Sequence, residues 1–308
     1  MQFRQLRYFV KVVEAGSFSR AAANIHVAQP ALSQQIAELE LRLGTKLLLR
    51  SARGVSPTAA GEALLRKASS ILHQLDQLPA LVRSSNGEPE GNVSVGLSSS
   101  LASTLIGPFI RHAKTMLPKV KLKLSDADSA SLETGVESNG LDLAVAYDGG
   151  LGSKLLRRPV FRQRLYLIGT QPFFLKSSSI SLEEVGKLPL VLPSLPSGRR
   201  ALIDRAFAQR GLAPNVIAEA DSLSSELLTV KTGIAHTILP VLNESSFLRD
   251  GFAKPLLIEP GLFLTCSVIS SRDVPLSHAG EAVQKLLTDF VEAKLRPTDL
   301  PSSVAQAA

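Results

Sequence analysis

The side chains near the N-terminus best equipped to meet another molecule are Ser33 and Gln34, in the stretch QPALSQQIAELELRLGTKLLLR (29–50). Uncharged amide and hydroxyl groups both donate and accept, so they suit base edges and do not repel phosphate. Arg50 and Arg53 carry the permanent charge and fork of donors that phosphate oxygens favour. Such groups act together only when one element presents them outward. Leu32, Ile36, Leu39 and Leu43 recur at 4-3-4 spacing, which puts them on one apolar helix face. Pro30, Gln34, Ala37 and Leu41 fall opposite, with Ser33 on the flank. Pro30 suits the first helical position, where its missing N–H costs nothing. An ordinary amphipathic surface helix would share this pattern, so the neighbouring elements decide the reading.

Upstream, Leu6, Phe9, Val10 and Val13 form an apolar stripe ended by Gly16. Ser17 or Ser19 then offers an N-cap for a short helix over Arg20–Ile25, kept slim by Ala21–Ala23. His26-Val27-Ala28 links it to Pro30, giving a short helix, a tight turn and a second helix: a helix-turn-helix. Beyond Gly44, Lys46–Arg50 and Arg53–Pro57 flank a Gly-containing turn and read as a two-stranded wing with Arg50 and Arg53 at phosphate height. The stretch LRYFVKVVEAGSFSRAAANIHVAQPALSQQIAELELRLGTKLLLRSARGVSPTAAGE (Leu6–Glu62) resembles, without gaps, the N-terminal domain of LysR-type transcriptional regulators. Its wording is nearest the nitrogen assimilation control branch.

That resemblance implies an architecture and roles. The fold class is α/β: an N-terminal winged helix-turn-helix (1–58), a long linker helix and hinge (59–90), then a regulatory domain (91–308). The regulatory domain would have two α/β lobes similar to a type 2 periplasmic binding protein, lobe one 91–162 with 268–295 and lobe two 163–267. Gln29, Pro30, Ser33 and Gln34 would meet base edges and nearby sugar-phosphate. Arg50, Arg53 and Arg4 would hold phosphates, and Thr58 would join wing to linker. Expected partners are double-stranded DNA, further copies of the chain as homodimer or homotetramer, and RNA polymerase.

The 308 residues carry 34 basic and 27 acidic side chains, a net charge of +7. Residues 1–67 hold ten basic and four acidic ones, so nearly all the excess lies at the N-terminal end, as expected where DNA binds. The single cysteine, Cys266, excludes an internal disulfide and a multi-cysteine metal site. It lies in the apolar run Leu262–Ile269 and reads as a buried strand residue. MQFRQLRYFVKVVE is amphipathic and broken by charge, without a signal-peptide core, and no run is long and apolar enough to span a bilayer. A cytoplasmic protein without membrane contact is expected. No nucleotide loop, H-E-x-x-H spacing or nucleophile elbow is present and the five histidines are scattered, so neither a catalytic nor a metal residue is assigned.

Thr58 is placed to cap a helix starting at Ala59, with Glu62 favouring its dipole. Leu64, Ala68, Ile71, Leu75, Leu78 and Val82 follow at the 3.5-residue period of a coiled-coil seam. Pro79 predicts that this helix ends or kinks near Leu78, and Ser84–Gly91 has hinge composition.

After Gly91, strand patterns at 93–97, 120–124, 142–146, 165–169, 188–192, 216–218, 237–239 and 264–269 alternate with helical ones at 101–116, 132–138, 199–209, 224–232 and 280–295. Such alternation predicts parallel sheets. Ser98–Ser100, Ser129 with Ser131, and Ser194 with Ser197 stand at strand-to-helix junctions, where free N–H groups gather and suit a small anion. By resemblance, Ser99, Ser100, Ser129 and Ser197 occupy effector-contact regions, with a small carboxylate or inorganic anion as effector and no cofactor; plain helix capping is the alternative for each. Arg199 and Arg200 could neutralise a carboxylate or lie solvated. Gly233–Pro240 resembles the family's G-x-G-x-x-x-L-P turn, with Ala235 at the second glycine, and His236 reads as structural. Resemblance to the nitrogen assimilation branch also implies control by abundance, with a vestigial cleft, as an alternative to an effector. The competing function is a cytoplasmic solute-binding protein whose N-terminal helices only oligomerise.

Overall fold

A computed structural model of the chain describes residues 1–51, 54–83, 87–148, 155–170 and 178–295, with the backbone alone for residues 77 and 79–83. Arg53, the Ser84–Asn86 start of the expected hinge and the tail after Pro297 lie outside the described residues. The chain divides into two compact units, Met1–Ser85 with Ser138–Gly140, and Asn86–Glu137 with Leu141–Ala308.

The first unit contains α1 (Phe3–Ala15), α2 (Phe18–Asn24), α3 (Gln29–Leu43), a hairpin of β1 (Leu48–Ser51) and β2 (Gly54–Pro57), and α4 (Ala59–Arg83). Leu6, Phe9 and Val12 of α1, Phe18 and Ala21 of α2, and Leu32, Ile36 and Leu39 of α3 close one core. Val12, rather than Val13, is the fully buried valine. Leu43 departs from the expected apolar face: it is 42% exposed, because the last turn of α3 before Gly44 carries it past the core. Gly44 closes α3 in the left-handed region, φ +65°, a conformation glycine adopts at little cost. The wing is antiparallel, Leu48 opposite Pro57 and Ser51 opposite Gly54.

Thr58 starts α4 as predicted. Its Oγ1 accepts the Gly61 N–H at 3.0 Å and donates to the Lys46 carbonyl at 2.8 Å. The helix does not end at Leu78 but continues to Arg83; proline removes one rung of the ladder, and the turns on either side carry the helix across. The expected seam is also partly core. Ala68 is buried, Leu64 and Leu75 pack against the unit's interior beside buried Leu72, and Ile71 and Leu78 stay exposed.

In the second unit β3 (Gly91–Ser98) lies parallel to β4 (Val120–Ala127) and β5 (Leu143–Tyr147), with α5 (Ser99–Met116) and α6 (Ser129–Glu137) as crossovers. The long β6 (Leu155–Ile168) pairs antiparallel with β12 (Phe263–Ser271), which also runs antiparallel to β5. Between them come β7 (Ser179–Ser181), α7 (Leu182–Val185), β8 (Leu190–Leu192), α8 (Gly198–Ala208), β9 (Val216–Glu219), α9 (Leu223–Lys231), β10 (Thr237–Pro240), α10 (Glu244–Arg249) and β11 (Leu256–Glu259); α11 (His278–Lys294) closes the unit. The result is a two-lobed α/β body. Its pairing is mixed rather than purely parallel, because β6 leaves the first lobe and β12 returns to it in the reverse direction. The expected lobe limits at 162 and 267 fall inside these two strands. Val93, Val95 and Leu97 of β3, Leu101 and Phe109 of α5 and Val283 of α11 are buried in one cluster, and the Phe109 and Phe290 rings meet at 5.4 Å. Cys266 is buried in β12 as read, and burial pushes its thiol well above the usual range.

Candidate nucleic-acid interface and ligand cleft

Four of the predicted contact residues share the outward N-terminal side of α3. Gln29 and Pro30 are its first two residues, one place earlier than the sequence implied, and both are exposed, as is Gln34. Half-buried Ser33 accepts a bond from Arg50 Nη2 at 3.3 Å. The Arg50 guanidinium also lies 4.4 Å from the centre of the Phe18 ring, a cation–π contact that fixes its stem beside α3 while leaving the residue exposed. Gln34 Nε2 donates to Glu38 Oε1 at 3.1 Å, and Gln35 to the other Glu38 oxygen at 3.0 Å. Ser33 and Gln34 are therefore held by neighbours. Arg4 is exposed on α1, and Thr58 uses its hydroxyl at the α4 cap.

Sequence reasoning missed Glu40. It is 6% exposed, and its carboxylate accepts from the N–H groups of Leu47 and Leu48 and from Lys46 Nζ. Burial raises its pKa, but these donors outweigh burial and hold the carboxyl below its usual value. An acidic residue one turn from the end of a helix, facing apolar positions, was the available signal.

In the second unit a cavity of about 580 Å³ is lined from both lobes, by Ser99, Ser100 and Ser129 on one side and Ser197 on the other. All four predicted serines are thus brought together. Capping accounts for only one of them. Ser197 caps α8 by accepting the Arg200 N–H, whereas Ser129 Oγ accepts the Tyr147 N–H at 3.2 Å. Ser98, the residue before α5, makes no side-chain cap bond, so the first turn of α5 opens into the cavity with Ser99 and Ser100 uncommitted to capping. Tyr147, Asp128 and Asp221 also line the cavity; the sequence reading did not single them out, although each ends a strand or precedes a helix.

The arginine pair is neither solvated nor free for a ligand. Arg199 binds both oxygens of buried Glu226 and donates to the Ile238 carbonyl at 2.9 Å, while Thr237 Oγ1 donates to Glu226 at 2.8 Å. Arg200 pairs with Asp204 and Glu219 and donates to the Pro193 carbonyl. His236 is half-buried, its Nδ1 3.4 Å from the Pro189 carbonyl, and burial lowers its pKa, in keeping with a structural residue.

A three-helix unit with a hairpin wing, followed by a two-lobed α/β body around a polar cleft, defines a class of DNA-binding regulator. Residues 3–62 match the family described as bacterial regulatory helix-turn-helix protein, lysR family, and residues 86–292 match the LysR substrate binding domain. The chain is 33% identical over 294 residues to the nitrogen assimilation regulatory protein nac of Klebsiella aerogenes, covering 94% of this chain and 95% of that one. Its fold is similar to a full-length OxyR from Pseudomonas aeruginosa (TM-score 0.65, 22% identity, 98% and 99% covered). It is likewise similar to full-length CbnR in complex with its target DNA (TM-score 0.64, 23% identity, 96% and 99% covered). The chain belongs to the LysR family of transcriptional regulators. The helix-turn-helix match sets aside a solute-binding protein whose N-terminal helices only oligomerise. No described helix is long and apolar enough to cross a membrane.

Proposed function

We propose that this regulator binds a partly palindromic promoter site as a homodimer or homotetramer in the cytoplasm, without catalysing a reaction, and acts through RNA polymerase. Gln29, Pro30, Ser33 and Gln34 meet base edges and adjacent sugar-phosphate; Arg50, Arg53 and Arg4 hold phosphates; Thr58 fixes the wing to α4. A small anionic effector, a carboxylate or inorganic anion, binds among Ser99, Ser100, Ser129 and Ser197 and biases the assembly. The observation that supports the DNA reading best is the exposed, uncharged start of α3 with Arg50 docked against it. The target of the nac relative's name, nitrogen assimilation, is the first regulon to examine.

The test is DNA binding of full-length variants at several salt concentrations on the DNA upstream of this protein's own gene. Gln29→Ala is expected to weaken the specific site by about 1–3 kcal/mol and leave random DNA little changed. Arg53→Ala is expected to weaken both and flatten the salt dependence by about one ion's worth. Equal losses on both DNAs for Gln29→Ala would remove it from the base-reading set.

A further inference from the structure

The cleft has two chemically different ends. At the first, α5 begins without a side-chain cap, and Ser99 and Ser100 sit in its opening turn. Tyr147 is only 6% exposed and lines the cavity; its Oη lies beside the Ser100 hydroxyl, which can donate to it, and has no acceptor for its own proton at good hydrogen-bond geometry. A buried hydroxyl left this way is costly, and here a ligand acceptor entering the cavity would satisfy it. Burial also pushes the phenol well above its usual range, with the Ser100 hydroxyl beside it acting in the other direction. Tyr147 therefore keeps its proton and presents a donor.

At the second end, Asp128 precedes α6 in one lobe and Asp221 precedes α9 in the other, and both are exposed and line the same cavity. Each uses part of its carboxylate locally: Asp128 on the Ser131 N–H and hydroxyl, Asp221 on the Ser194 N–H at 3.2 Å. No lining cation answers them among the described residues. Arg199 is the cavity's one basic side chain, and Glu226 already neutralises it. A ligand bearing only negative charge would meet the α5 end favourably but bring like charge toward Asp128 and Asp221.

We infer that the cleft takes an aminocarboxylate, with its carboxylate at Ser99, Ser100 and the Tyr147 hydroxyl and its ammonium between Asp128 and Asp221. The inference rests on the proposed role of the cleft as the effector site and narrows the anion expected there to a zwitterion.

The experiment is calorimetric titration of the full-length protein with the common amino acids. Each is paired with the acid that lacks the amino group (glutamate with glutarate, aspartate with succinate), and phosphate and sulfate are included. At least one amino acid is expected to bind, with its deaminated partner weaker by about tenfold. In Asp128→Asn/Asp221→Asn, which keeps an acceptor for each backbone N–H, that gap should close. In Tyr147→Phe both members of the pair should weaken alike. A deaminated acid or inorganic anion that binds as tightly as any amino acid would overturn the zwitterion and leave the cleft as an anion site. Binding that is indifferent to both variants, or no binding by any compound, would overturn the cleft reading itself and the inference with it.

Discussion

Glu40 Oε1 accepts the backbone N–H of Leu47 at 2.9 Å, and that of Leu48 at 3.2 Å. These bonds join the last turn of α3 to the first strand of the wing. The two elements that carry Ser33 and Arg50 are thus registered by one buried carboxylate.

Replacing Glu40 with alanine leaves two buried N–H groups unpaired, and the DNA-binding unit is expected to lose about 2–3 kcal/mol of stability. The contribution is pH-dependent. Because the folded carboxyl titrates below its usual value of 4.5, its stabilisation is complete above that value and is lost as the pH falls through the lower folded one. Denaturant melts of wild type and Glu40→Ala should therefore diverge at neutral pH and converge in acid. A constant gap down to the acid transition would show that Glu40 works through packing alone.

Gly61, in the first turn of α4, faces the same corner. A Cβ there would stand 2.1 Å from the Leu47 carbonyl oxygen and 3.1 Å from the Pro57 Cβ. On an open helix surface Gly→Ala stabilises by about 1 kcal/mol. Here the sign should reverse, with Gly61→Ala destabilising by about 1–3 kcal/mol through backbone displacement, read as a lowered melting temperature. A stabilised variant would mean that the wing can move aside freely.

These contacts mark the limit of what sequence could show. Helix spacing and capping chemistry placed α1, α3, the wing and the start of α4, because those signals are local. The strand-to-helix serines were legible for the same reason. The partners of Glu40, Arg199 and Arg200 were not, since each ion pair or backbone bond is closed by an element brought in by the tertiary fold. β7 and β11 are short, β6 shows its apolar pattern only in its last part, and a strand that passes between lobes changes neighbours along its length. Ser181-Leu-Glu-Glu184 forms a capping box in the structure; its S-x-x-E spacing was a local signal for α7 that the sequence reading did not use.

Arg199→Ala separates a structural from a ligand-binding role. Removing the guanidinium strands Glu226, 1% exposed, with Thr237 and no counter-charge, which should cost about 3–5 kcal/mol. The pair Arg199→Met with Glu226→Gln should recover most of that loss, since a neutral pair of similar volume carries no unpaired buried charge. Thermal unfolding of the single and double variants checks this. A single variant that melted like wild type would return Arg199 to the set of ligand contacts.

Ser33 and Arg50 should not behave as independent DNA contacts. Ser33→Ala removes the hydroxyl proposed to face a base and also the acceptor that holds Arg50 Nη2, while Arg50→Ala removes the charge and frees Ser33. Phe18 still braces the guanidinium after Ser33→Ala, so phosphate binding survives in part. A double-mutant cycle on specific DNA is expected to give a coupling energy of about 0.5–1.5 kcal/mol, with the double variant losing less than the sum of the singles. The same cycle on random DNA should show a smaller term, because base contact by Ser33 drops out. Strict additivity on the specific site would place Arg50 on phosphate without help from α3 and leave Ser33 to read bases alone.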